Sequence, residues 1–178
     1  DVSLLVAVRT AVERGGNAVL TCGPHRQENF ARTTALLDQM GLNIVDARIT
    51  PLDGGLGLDT YLVLEDTGMP IADRHRAHQI EQQLRRVLLS PAADLPIVTR
   101  RAPRQVRMFT TPTQITFTED PLQNRTVLEI IAGDRPGLLS EIGRVFLAEQ
   151  IDVNTAKIMT IGERAEDVFY ITDRNQQA

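Results

Sequence analysis

Residues Asn124 to Asp173 decide the fold, and within them Ala132-Gly-Asp-Arg-Pro-Gly-Leu-Leu139 is the pivot. The run Thr126-Val-Leu-Glu-Ile-Ile-Ala132 before it is apolar and β-branched, and reads as a strand. After it, Leu138, Leu139, Ile142, Val145 and Phe146 recur at helical spacing and predict one apolar helix face. Between the two, Asp134 is a candidate N-cap and Pro136 suits a first helical turn, having no N–H to leave unpaired. Gly137 would let a ligand or another backbone come close. The first N–H groups of the helix would point out of the strand end, where they can receive a carboxylate. Ile151-Asp-Val-Asn-Thr-Ala-Lys-Ile-Met159 reads as the next strand, and Glu166 to Thr172 as its antiparallel partner across a loop at Gly162.

Working outward, the chain before this stretch repeats its pattern. Ala156 lies 109 residues after Ala47, and Ile158 lies 109 after Ile49. At that offset Leu138 and Leu139 fall on Asn29 and Phe30, Val145 and Phe146 on Leu36 and Leu37, and Ile115 and Phe117 on Val6 and Val8. Identities are few, but the succession of strands, turns and a helix recurs, as two copies of one supersecondary unit would give. In the first copy, strands are predicted near 3–9, 17–21, 42–50 and 58–65. Helices are predicted at 27–40, ending at Gly41, and at 73–89, capped by Asp73 and stopped by Pro91. Val106 to Thr111 can supply a last strand for that copy. The second copy reaches Gln177-Ala178 without a second helix, so part of its sheet face is expected to be uncovered and apolar. On this reading the chain is truncated in its second copy and is a piece of a longer protein.

The turn and the strands after it resemble a known family. Asp134-Arg-Pro-Gly-Leu-Leu139, Ile151-Asp-Val-Asn154, Ala156-Lys-Ile158 and Val168-Phe-Tyr-Ile171 are similar to the ACT domain, a small regulatory module that binds amino acids. Thr160-Ile-Gly-Glu-Arg-Ala-Glu-Asp-Val-Phe169 and the tandem arrangement narrow the likeness. They resemble the C-terminal regulatory region of bacterial nitrogen-control enzymes that add UMP to the PII signal protein and remove it. The resemblance covers nearly the whole chain. It implies an α+β fold of two tandem ferredoxin-like (βαββαβ) units, antiparallel sheets with helices on one face, with residues 1–112 the first unit and 113–178 the second.

The resemblance also implies a site. The ligand would be L-glutamine, bound at Asp134, Arg135, Pro136, Gly137, Leu138 and Leu139 together with the strand start at Asp152 and Asn154. Backbone N–H groups near Gly137 would take the carboxylate, Asp152 the ammonium, and Asn154 the side-chain amide, because an amide both donates and accepts. In the first copy the matching turn is Gly23-Pro-His-Arg-Gln-Glu28, with Glu28 where Gly137 stands, Asn43 aligned with Asp152, and Val45 with Asn154. His25, Arg26 and Asn43 are therefore the weaker candidates. The alternatives are a ligand-free module that only pairs units, or a module for another amino acid.

Composition bounds the rest. The chain has 178 residues, 42% of them hydrophobic, and a net charge of -4. That charge gives no reason to expect nucleic acid or an anionic membrane, and seven aromatics without a Trp are too few for a base-stacking surface. No run is long and apolar enough to span a bilayer. A soluble, cytoplasmic protein is expected, with association through its ACT units. Cys22 falls in an apolar run and is expected to be a buried thiol. His75-x-x-His78 lacks a third ligand, and Asp53-Gly-Gly-Leu-Gly57 lacks the Lys of a phosphate cradle. Nothing here has the spacing of a catalytic centre. No metal or cofactor is expected in the chain. By the same resemblance, the nucleotidyltransferase and hydrolase chemistry, with its magnesium, belongs to catalytic domains elsewhere in the parent enzyme. Residues 90–112, with Arg100, Arg101, Arg104 and Arg107, read as a basic linker or a docking surface for those domains.

Overall fold

The computed structural model describes residues 3–91 and 111–178. The first unit runs β1 (Leu5–Ala11), a 3-10 turn at Val12–Arg14, β2 (Gly16–Pro24), α1 (Glu28–Gln39), β3 (Leu42–Leu52), β4 (Leu56–Glu65) and α2 (Arg74–Leu89). The second runs β5 (Gln114–Asp120), β6 (Arg125–Gly133), α3 (Leu138–Ala148), β7 (Asp152–Ile161) and β8 (Arg164–Thr172). Each sheet has four antiparallel strands, in the orders β1-β2-β4-β3 and β5-β6-β8-β7. This is the tandem ferredoxin-like ACT pattern.

The offset of 109 holds from β1 through β3. Strand β1 maps onto β5 and β2 onto β6 without a residue's slip, and the bulge at Ile44/Asp46 recurs at Val153/Thr155. The bulges place Val45 and Asn154 at equivalent points. At the ends of α1 and α3, Gly41 (φ 81°) and Gln150 (φ 62°) both take the left-handed conformation that closes a helix. The β3–β4 loop is one residue longer than its counterpart, so β4 and β8 match at an offset of 108. Tyr61 then corresponds to Phe169, each paired with the equivalent alanine, Ala47 or Ala156.

The two units share one apolar core. Edge strand β3 lies beside edge strand β7, and α1 packs on α3. Phe169 meets Phe30 of the other unit edge-on, ring centres 5.8 Å apart, and Phe146 of its own unit at 5.1 Å. Gly143 lets the helices close. A Cβ there would lie 2.8 Å from the Cα of Ala31.

In the first unit α2 covers the sheet beside β1. Ile80, Leu84 and Leu88 are buried, as are Val6 and Val8 beneath them, and the Val8 N–H donates to Glu81 Oε1 at 2.8 Å. The second unit has no such cover among the described residues. Ile115 and Phe117, the counterparts of Val6 and Val8, are 55% and 66% exposed and line an apolar groove of about 710 Å³. Val145, expected in the core, borders the same groove and is exposed for that reason.

Other expectations need correction. Asp134 does not cap α3. Its N–H extends the β6–β8 pairing by donating to Glu163, and the helix starts four residues later behind Gly137, without a side-chain cap. Arg135 precedes a proline and so is disfavoured in the helical region, which delays the start. β2 runs on past the predicted 17–21 through Gly23 and Pro24, and Cys22 is half-buried. Asp73 does cap α2, accepting from the His75 N–H at 2.9 Å. The strand expected at 106–111 and the arginines at 100–107 lie outside the described residues, save Thr111. The edge beside β2 is held by β1.

Candidate functional site

Strand register decides which candidates can meet. Gly133, at the end of β6, is level with Arg164 and, through it, with Ile161 at the end of β7. Asp152 opens β7, nine residues earlier. At about 3.3 Å per residue that is roughly 30 Å away. The Asp134–Leu139 turn and the Asp152–Asn154 strand start therefore lie at opposite ends of one sheet and cannot form a single site within the second unit.

The pairing of units reassigns them. Each turn faces the strand start of the other unit. The first-unit turn meets β7. His25 Nε2 lies 3.2 Å from Asp152 Oδ1, and the Gln27 amide donates to the Gln150 carbonyl at 3.3 Å. The second-unit turn meets β3 and encloses a cavity of about 490 Å³, within the range that takes a small molecule. Asp134 through Ser140 line one side, and Leu42, Asn43, Ile44 and Val45 the other, with Thr34, Asp38, Leu64 and Asp66. Ile158, Thr160, Gly162, Ala165 and Asp167 close it from β7, β8 and the loop between them. Asn43, a weaker candidate from the sequence, thus joins the principal turn, and Asp152 and Asn154 join the other.

The two half-sites differ in chemistry. At the first, burial raises Asp59 to about 6, with His25 pulling it down. The hydrogen bond that His25 donates to Asp152 raises His25 above its ordinary value, and the same bond lowers Asp152. Among the described residues Arg26 reaches only Glu28, at 4.0 Å, and is half exposed. Asn154 donates to Thr172 Oγ1 at 3.3 Å, and its side-chain amide oxygen is buried without a partner among the described residues.

At the second half-site, Gly137 has φ 84°, which glycine alone adopts readily. That conformation turns the chain into α3, so the first turn of the helix lines the cavity. Asp134 is raised by burial, with the backbone N–H of Arg135 opposing. Asp167 is 2% exposed, and among the described residues neither of its oxygens accepts a hydrogen bond of ordinary geometry. Burial pushes its carboxyl up to about 7, Asp134 adds to the rise, and the Met159 N–H opposes it.

Sequence reading missed Asp59 and Asp167. The signal was present in the strand alternation. Asp59, Tyr61 and Val63 share one phase, as do Asp167, Phe169 and Ile171, and the other members of both sets are core residues. It also missed Arg32, buried in α1, whose guanidinium donates to the carbonyls of Ser90 and Pro91 at 2.9 Å and anchors the chain after α2.

Two four-stranded antiparallel sheets joined through α1 and α3 and through β3 and β7, with a cavity between a helix-opening turn and the neighbouring strand start, have the fold of the ACT class. The ACT domain family matches residues 126–178, and the second unit belongs to it. Across 97% of its length the chain is 43% identical to the bifunctional uridylyltransferase/uridylyl-removing enzyme of Stutzerimonas stutzeri, and 43% identical to that of Methylococcus capsulatus. It is 42% identical to that of Pseudomonas putida. The chain spans a fifth of the length of each of these relatives. Aspartate kinase from Synechocystis overlays 90% of this chain and 24% of its own, at 17% identity and a TM-score of 0.47, a likeness too slight to carry an argument.

Proposed function

We propose that the chain is the glutamine-sensing regulatory region of a uridylyltransferase/uridylyl-removing enzyme. Glutamine bound between the units biases the catalytic domains toward removing UMP from the PII protein. The observation that carries this reading is the cavity between the Asp134–Ser140 turn and the start of β3. It has the size for an amino acid, helix N–H groups for a carboxylate, acids for an ammonium, and Asn43 for an amide. The likeness of nearly the whole chain to one region of these enzymes supports the same assignment. A site made by two units suits regulation, because a ligand shifts an equilibrium only by binding two arrangements differently. A ligand spanning the turn of one unit and the strand of the other favours the arrangement that holds them together.

No residue of the cavity is assigned to a metal or to catalysis. Magnesium and the transfer chemistry belong to the parent enzyme's catalytic domains. The apolar groove at Ile115 and Phe117 favours a second reading, in which the chain is chiefly an association module. Calorimetry of the chain with glutamine and a panel of other amino acids tests both. Saturable heat with glutamine alone supports sensing. Binding of a different amino acid moves the chain to another pathway, and no binding, with self-association, favours the second reading.

A further inference from the structure

Both units carry an acid at the same point of their central strand. Asp59 lies between Thr21 and Ile49, and Asp167 between the equivalent Ile130 and Ile158. Both are buried. The groups facing them differ. In the first unit His25 stands at the end of β2 and supplies a positive charge that acts on Asp59. The residue 109 positions later is Asp134, so the second unit brings a carboxylate where the first brings an imidazole. The second cavity is lined by Asp38, Asp66, Asp134 and Asp167. Arg135 is the one basic residue among the described lining, and its guanidinium is paired with Glu141 at 2.6 Å. An unpaired, buried carboxylate is costly to keep.

We propose that Asp167 is the receptor for a ligand's ammonium group, which takes the place that the first unit fills with its own His25. This rests on the cavity being an amino-acid site, and it names the group that selects amino acids from other small acids. It also explains why the half-sites are unequal. The first draws its positive charge from within, from His25, while the second is completed by the ligand it binds.

Ammonium binding needs the ionised carboxylate, and Asp167 titrates near 7. Affinity therefore rises from pH 6 to pH 8 and then levels off. Asp134, also raised, acts in the same direction; Asp38, Asp66 and the paired Arg135 are the other charged groups facing the cavity.

The test is calorimetry of the chain with glutamine and with 4-carbamoylbutanoate, which is glutamine without its amino group. The des-amino compound should bind at least about tenfold more weakly, the cost of leaving a buried charge unmatched. Asp167→Asn should weaken glutamine by a similar factor and leave the des-amino compound unaffected. Asp59→Asn should leave glutamine binding unchanged. The Asp167→Asn chain should also melt higher than wild type at pH 8, which separates lost recognition from lost folding. Equal binding of the two compounds would overturn the proposal, as would undiminished glutamine binding by Asp167→Asn. If wild type ignores glutamine and takes another amino acid, the glutamine reading falls. That amino acid and its des-amino counterpart then decide the role of Asp167. Saturation by calcium alone, with no amino acid bound, would overturn it too.

Discussion

His25 Nε2 and Asp152 Oδ1, 3.2 Å apart, join the turn of the first unit to the strand start of the second. The pair holds one of the two seams between the units closed. Its strength depends on pH. The raised His25 contributes fully below its ordinary value of 6.5 and loses that contribution as pH rises through its higher folded value. The lowered Asp152 contributes above its ordinary 3.8 and loses that as pH falls through its lower folded value. The pair is therefore worth most between about pH 4 and pH 6.5. His25→Ala should lower stability by about 1 kcal/mol in urea unfolding at pH 5.5. At pH 8.5 the loss should be clearly smaller.

Helix contact makes a second demand. Gly143 sits where a Cβ would overlap the Ala31 backbone, so Gly143→Val must push α1 and α3 apart. Overpacking of this kind costs about 1–3 kcal/mol. Nothing lies within 4 Å of a Cβ at Gly133, so Gly133→Ala should stay within about 0.5 kcal/mol of wild type. Phe169→Ala removes a ring shared by both units and should cost about 3–5 kcal/mol. Denaturant midpoints should be lowest for Phe169→Ala, intermediate for Gly143→Val and nearest wild type for Gly133→Ala.

Asp59 and Asp167 set a third expectation. Each binds its proton more tightly in the folded chain than in the unfolded one, at about 6 and about 7 against an ordinary 3.8. The folded form holds the extra protons between those values, so stability falls as pH rises from about 4 to about 7. Thermal melting of the ligand-free chain should show this decline. The double variant Asp59→Asn, Asp167→Asn should flatten it, with the largest gain at pH 8.

Much of the fold was legible because the core writes itself as period and offset. Val6 and Val8, Ala47 and Ile49, and Leu36 and Leu37 each predicted a counterpart 109 residues on, and the elements fall there. The uncovered face was legible for the same reason, since α2 has no counterpart among the described residues of the second copy. The site was only half legible. The Asp134–Leu139 turn could be found by its glycine and proline, but its facing partner is decided between units. Strand β3 approaches that turn only because Phe30, Phe169 and Gly143 bring the units together, and no local pattern states this. The family resemblance groups Asp152 and Asn154 with the turn, but the roughly 30 Å along β7 separates them.

That separation gives the last prediction. If the ligand lies between the second-unit turn and β3, then Asn43, not Asp152 or Asn154, faces it. Asn43 is exposed, and its amide makes only a 3.5 Å contact with the Glu65 carbonyl, so Asn43→Ala should leave stability nearly unchanged. It should nevertheless weaken glutamine about tenfold, the cost of one unmatched polar group on an enclosed ligand. Gly137→Val should abolish binding for another reason. A β-branched residue at φ 84° is strained, and the turn that aims the first N–H groups of α3 would have to reshape. Asp152→Asn should loosen the His25 seam and lower stability, but bind glutamine within about twofold of wild type. Titration calorimetry beside thermal melting separates these effects. Loss of binding in Asp152→Asn with Asn43→Ala unaffected would place the ligand at the His25 half-site instead.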